Sequence, residues 1–306
     1  VNSVRFQVLA LVSVTVALVL GAVIGRAVHT NPTASPVPDQ VSDLQARNQA
    51  LQAQLRQLTS SAAGSRPDSV VEQLAPGVLD HRLAGVSVLV LSTPSGAAAV
   101  AGVAHMLDVA GAGVVGRLQL SDAFSDPAKA AELLDLAKAA LPPSVSGGLP
   151  VTSDGVVAAS ALLADALLTP GVEPGERRSV LTAYASQGYL TGVDTVSGPA
   201  DAVVLVTGGP VGPTDALLTL VSQLHQDAPV VVAAGQEQST VVGRVRADAD
   251  LRTSVSTVDN VGSGVGQLIC ALALVDALAG NTGAYGQSTL PPIIAATATP
   301  TPTSSG

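Results

Sequence analysis

The side chains able to hold a soft metal ion are few: His29, His81, His105, His225, Met106 and the single cysteine, Cys270. Soft ions prefer thiolate and thioether sulfur, and imidazole suits several transition metals alike. No two of these residues stand four apart, and the chain has no CxxC and no Met-x-x-Met. His105 and Met106 are adjacent, so on a helix they point about 100° apart. They are the weak candidates for a metal role, with Met106 read first as core filler and His105 as a satisfied or exposed side chain. Cys270 stands in an apolar stretch and reads as a small buried hydrophobe.

Glycine-rich turns are the next place to look for chemistry. Gly111-x-Gly113-x-x-Gly116 matches a dinucleotide fingerprint, yet it ends a helical pattern and opens a strand, the reverse of the required order. It reads as a turn. Gly208-Gly209-Pro210 follows a strand and precedes a helix, where an anion could sit at a helix N-terminus. It lacks the lysine of a Walker loop and the third glycine of a Rossmann motif, so a tight turn is the first reading. Gly262-Ser263-Gly264-x-Gly266 is equally non-specific. Asp248, Asp250 and Asp259 lie near Arg244, Arg246 and Arg252, a mixture read as a solvated face with surface ion pairs. Ser239 has no histidine nearby in sequence to activate it. No catalytic constellation is visible, no resident cofactor is called, and the chain reads as a non-enzyme.

The elements that would position these residues come from an apolar chain. Of 306 residues, 47% are hydrophobic and 12% charged, ample material for a core and too little charge for a disordered chain. Aromatic residues are 2% and the net charge is −9, with 14 Lys+Arg against 23 Asp+Glu. Stacking platforms and a basic footprint are therefore both missing, which excludes nucleic acid as a partner. One cysteine permits no internal disulfide.

From Gly85 to about Gly286 short β-branched runs alternate with helical patterns. Val86 to Leu91 reads as a short buried parallel strand bounded by Gly85 and by Pro94-Ser95-Gly96, and Ala202 to Gly208 and Pro229 to Gly235 are the clearest strands. VVGRLQL before Ser121 and a segment around Ser254 to Val258 add two more. Helices are expected between Gly96 and Gly111, from Asp126-Pro127 to Ala140, over VVAASALLADALL, ERRSVLTAYASQ and TDALLTLVSQLHQ, and from Gln267 to Ala279. Strands separated by helices give an α/β fold, a three-layer sandwich with a mainly parallel sheet. This domain is assigned to residues 80–286.

Ahead of it stand three segments. Residues 1–28 contain twenty uncharged residues between Arg5 and Arg26, about 30 Å as a helix and enough to cross a bilayer core. They read as a retained transmembrane anchor; the competing reading, a cleaved signal peptide, has no small-x-small site directly following. Gly21 and Gly25 form a small-xxx-small pair suited to packing two anchors together. Residues 29–39 are a Pro-rich hinge. Over 40–60, Val41, Leu44, Asn48, Leu51, Leu55 and Leu58 recur at spacings of three and four, the seam of a short coiled coil with one Asn at an a position. The expectation is a parallel homodimer or higher oligomer; a short amphipathic helix on its own domain is the alternative. Residues 287–306 are a Pro/Thr/Ser-rich tail, expected to be disordered. The bulk of the chain is then extracytoplasmic, held to the lipid bilayer by a single pass, with any cytoplasmic protein partner met at the membrane.

Certain short motifs occur in a set order: VTGG at Val206 to Gly209, RADAD at Arg246 to Asp250, STVD at Ser256 to Asp259, then Ala271 to Gly280 (ALALVDALAG) and AYG at Ala284 to Gly286. With the anchor and coiled coil before them, the chain resembles the actinobacterial MctB family over about residues 5 to 286. The resemblance implies copper transport or copper homeostasis at the cell envelope, with a copper ion as the transported species. Related SteB-like proteins act as membrane partners in cell-wall and division control, so a non-enzymatic dimeric scaffold is the second expectation. A ligand-binding enzyme at Gly208-Gly209 is the third.

Overall fold

A computed structural model describes residues 67–145, 149–208, 215–235 and 240–286 of the chain. These belong to one compact unit, Ser65–Pro291. The anchor, hinge, coiled-coil and tail segments lie outside the described residues, and among the described residues no helix is long and apolar enough to cross a membrane.

The core of the unit is a seven-stranded mixed sheet. Its central strands are β1 (Ser87–Ser92), β4 (Ala202–Thr207) and β5 (Val230–Ala234). They are the continuous Val/Leu/Ala runs that a strand buried on both faces requires. β2 (Gly113–Leu120) and the two-residue β3 (Leu190–Thr191) complete one wing, and β6 (Ser256–Val258) and β7 (Ala284–Tyr285) the other. The order is β3-β2-β1-β4-β5-β6-β7, all parallel except the antiparallel pair β2–β3. The sheet is thus mainly parallel, as expected, and mixed only at one edge, where the short β3 turns back along β2 instead of crossing over.

Alternate strand residues divide between two helical layers. Leu89, Leu91, Val203, Leu205, Val230 and Val232 join a core with the helices α3 (Ala130–Ala140), α4 (Gly155–Leu168), α5 (Pro174–Ser186), α6 (Asp215–Asp227) and α7 (Thr240–Ala247). The short α8 (Leu251–Ser254) ends this layer. The opposite strand face is covered by α2 (Ala97–Val109) and α9 (Gly264–Leu278), which pack on each other. α1 (Pro67–Leu79) rests on those two helices through Val71, Ala75 and Leu79, so the compact unit takes in a helix upstream of residue 80.

Local chemistry fixes the ends of the helices. Asp154 caps α4, its carboxylate accepting from the backbone N–H of Val156 and Val157 at 2.8 and 3.3 Å. The buried Arg177 closes the other end, donating to the carbonyls of Ala166 and Thr169 at 2.7 and 3.1 Å. Burial lowers the pKa of that guanidinium below its usual value. Asp126 accepts from Ala128 N–H as expected, but Pro127–Lys129 form a tighter 3-10 turn before α3 begins.

Candidate functional site

In an open α/β sheet, ligands bind beyond the carboxyl ends of the strands where the strand order reverses. Here that point lies between β1 and β4. The loop after β1 carries Thr93, Pro94, Ser95 and Gly96; the loop after β4 begins at Gly208. Thr93 N–H donates to the Val206 carbonyl at 3.0 Å, and Gly208 N–H donates to Ser95 Oγ at 3.2 Å. The Thr93 and Ser95 hydroxyls are hydrogen bonded at 3.0 Å. A Cβ at Gly96 would fall 2.3 Å from the Val206 carbonyl oxygen, and one at Gly208 would fall 2.4 Å from Ser95 Cβ. The two loops are thus closed upon each other, and glycine is what lets them approach. Gly209 and Pro210, like Ser239, lie outside the described residues.

The dinucleotide-like glycines have the structural role expected of them. Gly111 ends α2 with φ +85°, and Gly113 is the first residue of β2. Ser263 caps α9, accepting from Gly266 N–H at 3.2 Å.

Four of the five short motifs converge on one place, the β6–β7 wing. Arg246, from α7, donates through Nε to Thr257 Oγ1 at 2.8 Å, through Nη1 to Asp259 Oδ2 at 3.0 Å and through Nη2 to the Tyr285 carbonyl at 3.1 Å. The Tyr285 hydroxyl donates to Asp276 of α9, whose other oxygen accepts from Asn281 Nδ2 at 2.9 Å. Burial, followed by the Asp276 carboxylate, raises the Tyr285 phenol well above its ordinary pKa. Asp259 is nine-tenths buried, and its second oxygen, Oδ1, has no hydrogen-bond partner among the described residues. The expected solvated face is corrected for Arg246 and Asp259, whose side chains are 32% and 12% exposed, so the pair is an internal tie. It holds for Arg244, which pairs with Asp215 in the open. Asp248 serves α8: backbone N–H groups of Leu251 and Asp250 hold its carboxyl below the usual range. Nothing in the spacing of these residues announces the hub, since its members are 11 to 39 residues apart.

The metal candidates are dispersed. His105 is exposed on α2 while Met106, beside it, is buried in the core. Cys270 is fully buried in α9, where burial pushes its thiol pKa up to about 12. His81 is exposed with φ +53°, and His225 is half-buried on α6. Among the described residues no group of three or more His, Cys, Asp or Glu could hold a metal ion. His29, the seam residues Val41, Leu44, Asn48, Leu51, Leu55 and Leu58, and the pair Gly21 and Gly25 all lie outside the described residues.

The fold and this wing together define a doubly wound α/β domain whose most distinctive polar residues are committed to tying its own last strand in place. Comparison with known proteins gives the family. A family model described as "Copper transport outer membrane protein, MctB" matches residues 2–290, and the chain belongs to that family. It is 29% identical over 307 aligned positions to proteins named "Copper transporter MctB" from Mycobacterium tuberculosis and Mycobacterium bovis, covering 93% of this chain and 96% of each relative. The protein of the same name from Mycobacterium leprae is 28% identical over the same extent.

Proposed function

We propose that this chain is a copper transport protein of the cell envelope, with copper as its cargo and no enzymatic step of its own. The observation that carries the reading is the family match over residues 2–290, supported by relatives of nearly equal length that carry the copper-transporter name. The family description also places its members in a membrane. On this reading the uncharged stretch from Phe6 to Gly25 anchors the chain in the bilayer by a single pass. The Val41–Leu58 seam joins two or more copies, and the α/β domain stands outside the membrane. One span per chain forms a path for an ion only by oligomerisation, which makes the seam and the Gly21–Gly25 pair part of the transport proposal.

The burial of Met106 and Cys270 favours a second reading, a non-enzymatic dimeric scaffold for cell-wall or division proteins. Neither sulfur is exposed to a passing ion. Growth and morphology of a strain lacking the chain separate the two. Copper transport predicts growth inhibition at raised copper, restored by the intact gene, with normal cell shape at low copper. Altered cell shape at every copper level, with unchanged copper tolerance, would favour the scaffold.

A further inference from the structure

Beside the Arg246 hub lies a cleft of about 150 Å³, lined by Arg246, Arg252, Val255, Thr257, Gly283 and Ala284. Two guanidinium groups line it, and none of its lining residues is acidic. Arg246 is held rigidly by its three bonds to Thr257, Asp259 and Tyr285, which use one N–H on each of its nitrogens. Each terminal nitrogen therefore keeps one further N–H. Arg252 projects from the exposed side of α8 and makes no side-chain hydrogen bond or ion pair among the described residues. Asp259 pairs with Arg246, and Asp248 and Asp250, the acids nearest Arg252 in sequence, do not line the cleft, so the Arg252 guanidinium meets the cleft without a bonded acid among the described residues.

We propose that this cleft is a binding site for a small oxyanion, a carboxylate or a phosphate group, independent of the copper reading. The planar fork of Arg252 can donate to two oxygens of such a group side by side. Arg246 offers its remaining donors without losing side-chain freedom on binding, because that freedom is already lost in the fold. The apolar wall formed by Val255 and the small residues Gly283 and Ala284 let the anion approach both guanidinium groups.

The test is thermal unfolding of the full-length protein with inorganic phosphate or acetate, against sodium chloride at equal ionic strength. At roughly ten times the dissociation constant, binding raises Tm by about 3 °C. The Arg252→Gln variant loses this shift, whereas Arg178→Gln, which removes an exposed arginine on α5, keeps it. A shift with phosphate alone assigns the site to phosphate groups, and a shift with acetate alone assigns it to carboxylates. No shift in the wild-type protein with either anion, or an equal shift in Arg252→Gln, overturns the proposal.

Discussion

The guanidinium of Arg246 and the carboxylate of Asp259 meet at 3.0 Å across thirteen residues of sequence, and through them α7 is tied to the carboxyl end of β6. The same guanidinium reaches the Tyr285 carbonyl, so one side chain holds the two-residue strand β7 that closes the sheet. A strand this short has little ladder of its own. Its place is set by side chains, and the first prediction follows: Arg246→Gln lowers stability by about 2 kcal/mol, the value of lost charged hydrogen bonds discounted for partial exposure. Urea denaturation of the full-length protein measures it. A loss below about 0.5 kcal/mol would show that the hub contributes no more than an ordinary surface pair.

The partner tie is Tyr285 to Asp276, which is 7% exposed. Tyr285→Phe removes the hydroxyl donor and leaves a buried carboxylate short of one partner, at a cost of about 1–3 kcal/mol. Hydrogen exchange localises the effect. Amides in and just after β6 that bond to the β7 segment, Thr257 and Asp259, lose protection before those of β4 and β5. Uniform loss across the sheet would contradict a local clasp.

The close approach of the β1 and β4 loops gives a second stability prediction. Gly96→Ala places a methyl 2.3 Å from the Val206 carbonyl oxygen, a backbone atom that cannot swing aside. The variant is expected to lose about 2 kcal/mol or more, whereas Gly175→Ala, with nothing within 4 Å of its Cβ, stays near wild type. Comparing their denaturation midpoints is the check.

A prediction about sulfur follows from helix geometry. α2 and α9 each link a pair of parallel strands and lie on the same sheet face, so they run in the same direction. A Cβ on Gly102 would fall 2.3 Å from Gln267 Cδ, which sets their register. About one turn further along lie Met106 and Cys270, both buried. Cys270, its thiol raised to about 12 by burial, is expected to resist alkylating reagents at neutral pH until the domain unfolds. Alkylation of Cys270 in the native protein at the rate seen in denaturant would refute this burial.

Asp165 supplies a pH dependence. Burial against its neighbours, followed by the Asp227 carboxylate, raises its carboxyl above the usual range. An acid with a raised folded pKa contributes stability that is fully present below its unfolded pKa. That contribution is lost as pH rises through the folded value. Asp165→Asn is therefore expected to be relatively more stable than wild type at pH 7 than at pH 4, as measured by Tm at both pH values. The same difference at both pH values would remove Asp165 from the account.

The central strands were legible because burial on both faces imposes unbroken Val, Leu and Ala runs, and β1, β4 and β5 carry them. The principal helices of the two layers were legible from Gly, Pro and Asp at their ends, as at Gly111 and Asp126. α1 was missed because Pro76 and Gly77 interrupt its pattern, although Val71, Ala75 and Leu79 keep a four-residue spacing. β3 and β7, at two residues each, are too short for any periodic signal. The site was less legible than the fold. Arg246, Asp259, Asp276 and Tyr285 each look ordinary in sequence, and only the order of the strands brings them together. His105 and Met106 illustrate the reverse: neighbours in sequence, they are separated between solvent and core by the turn of one helix.

Copper movement itself is the measurement closest to the central claim. Cells lacking the gene, cells complemented with it, and wild-type cells are loaded with copper and transferred to copper-free medium, and retained copper is followed over time by elemental analysis. Copper transport predicts slower loss and higher final copper in the deletion strain, restored to wild-type rates by the intact chain. Identical copper loss from all three strains would contradict transport and leave the scaffold reading in its place.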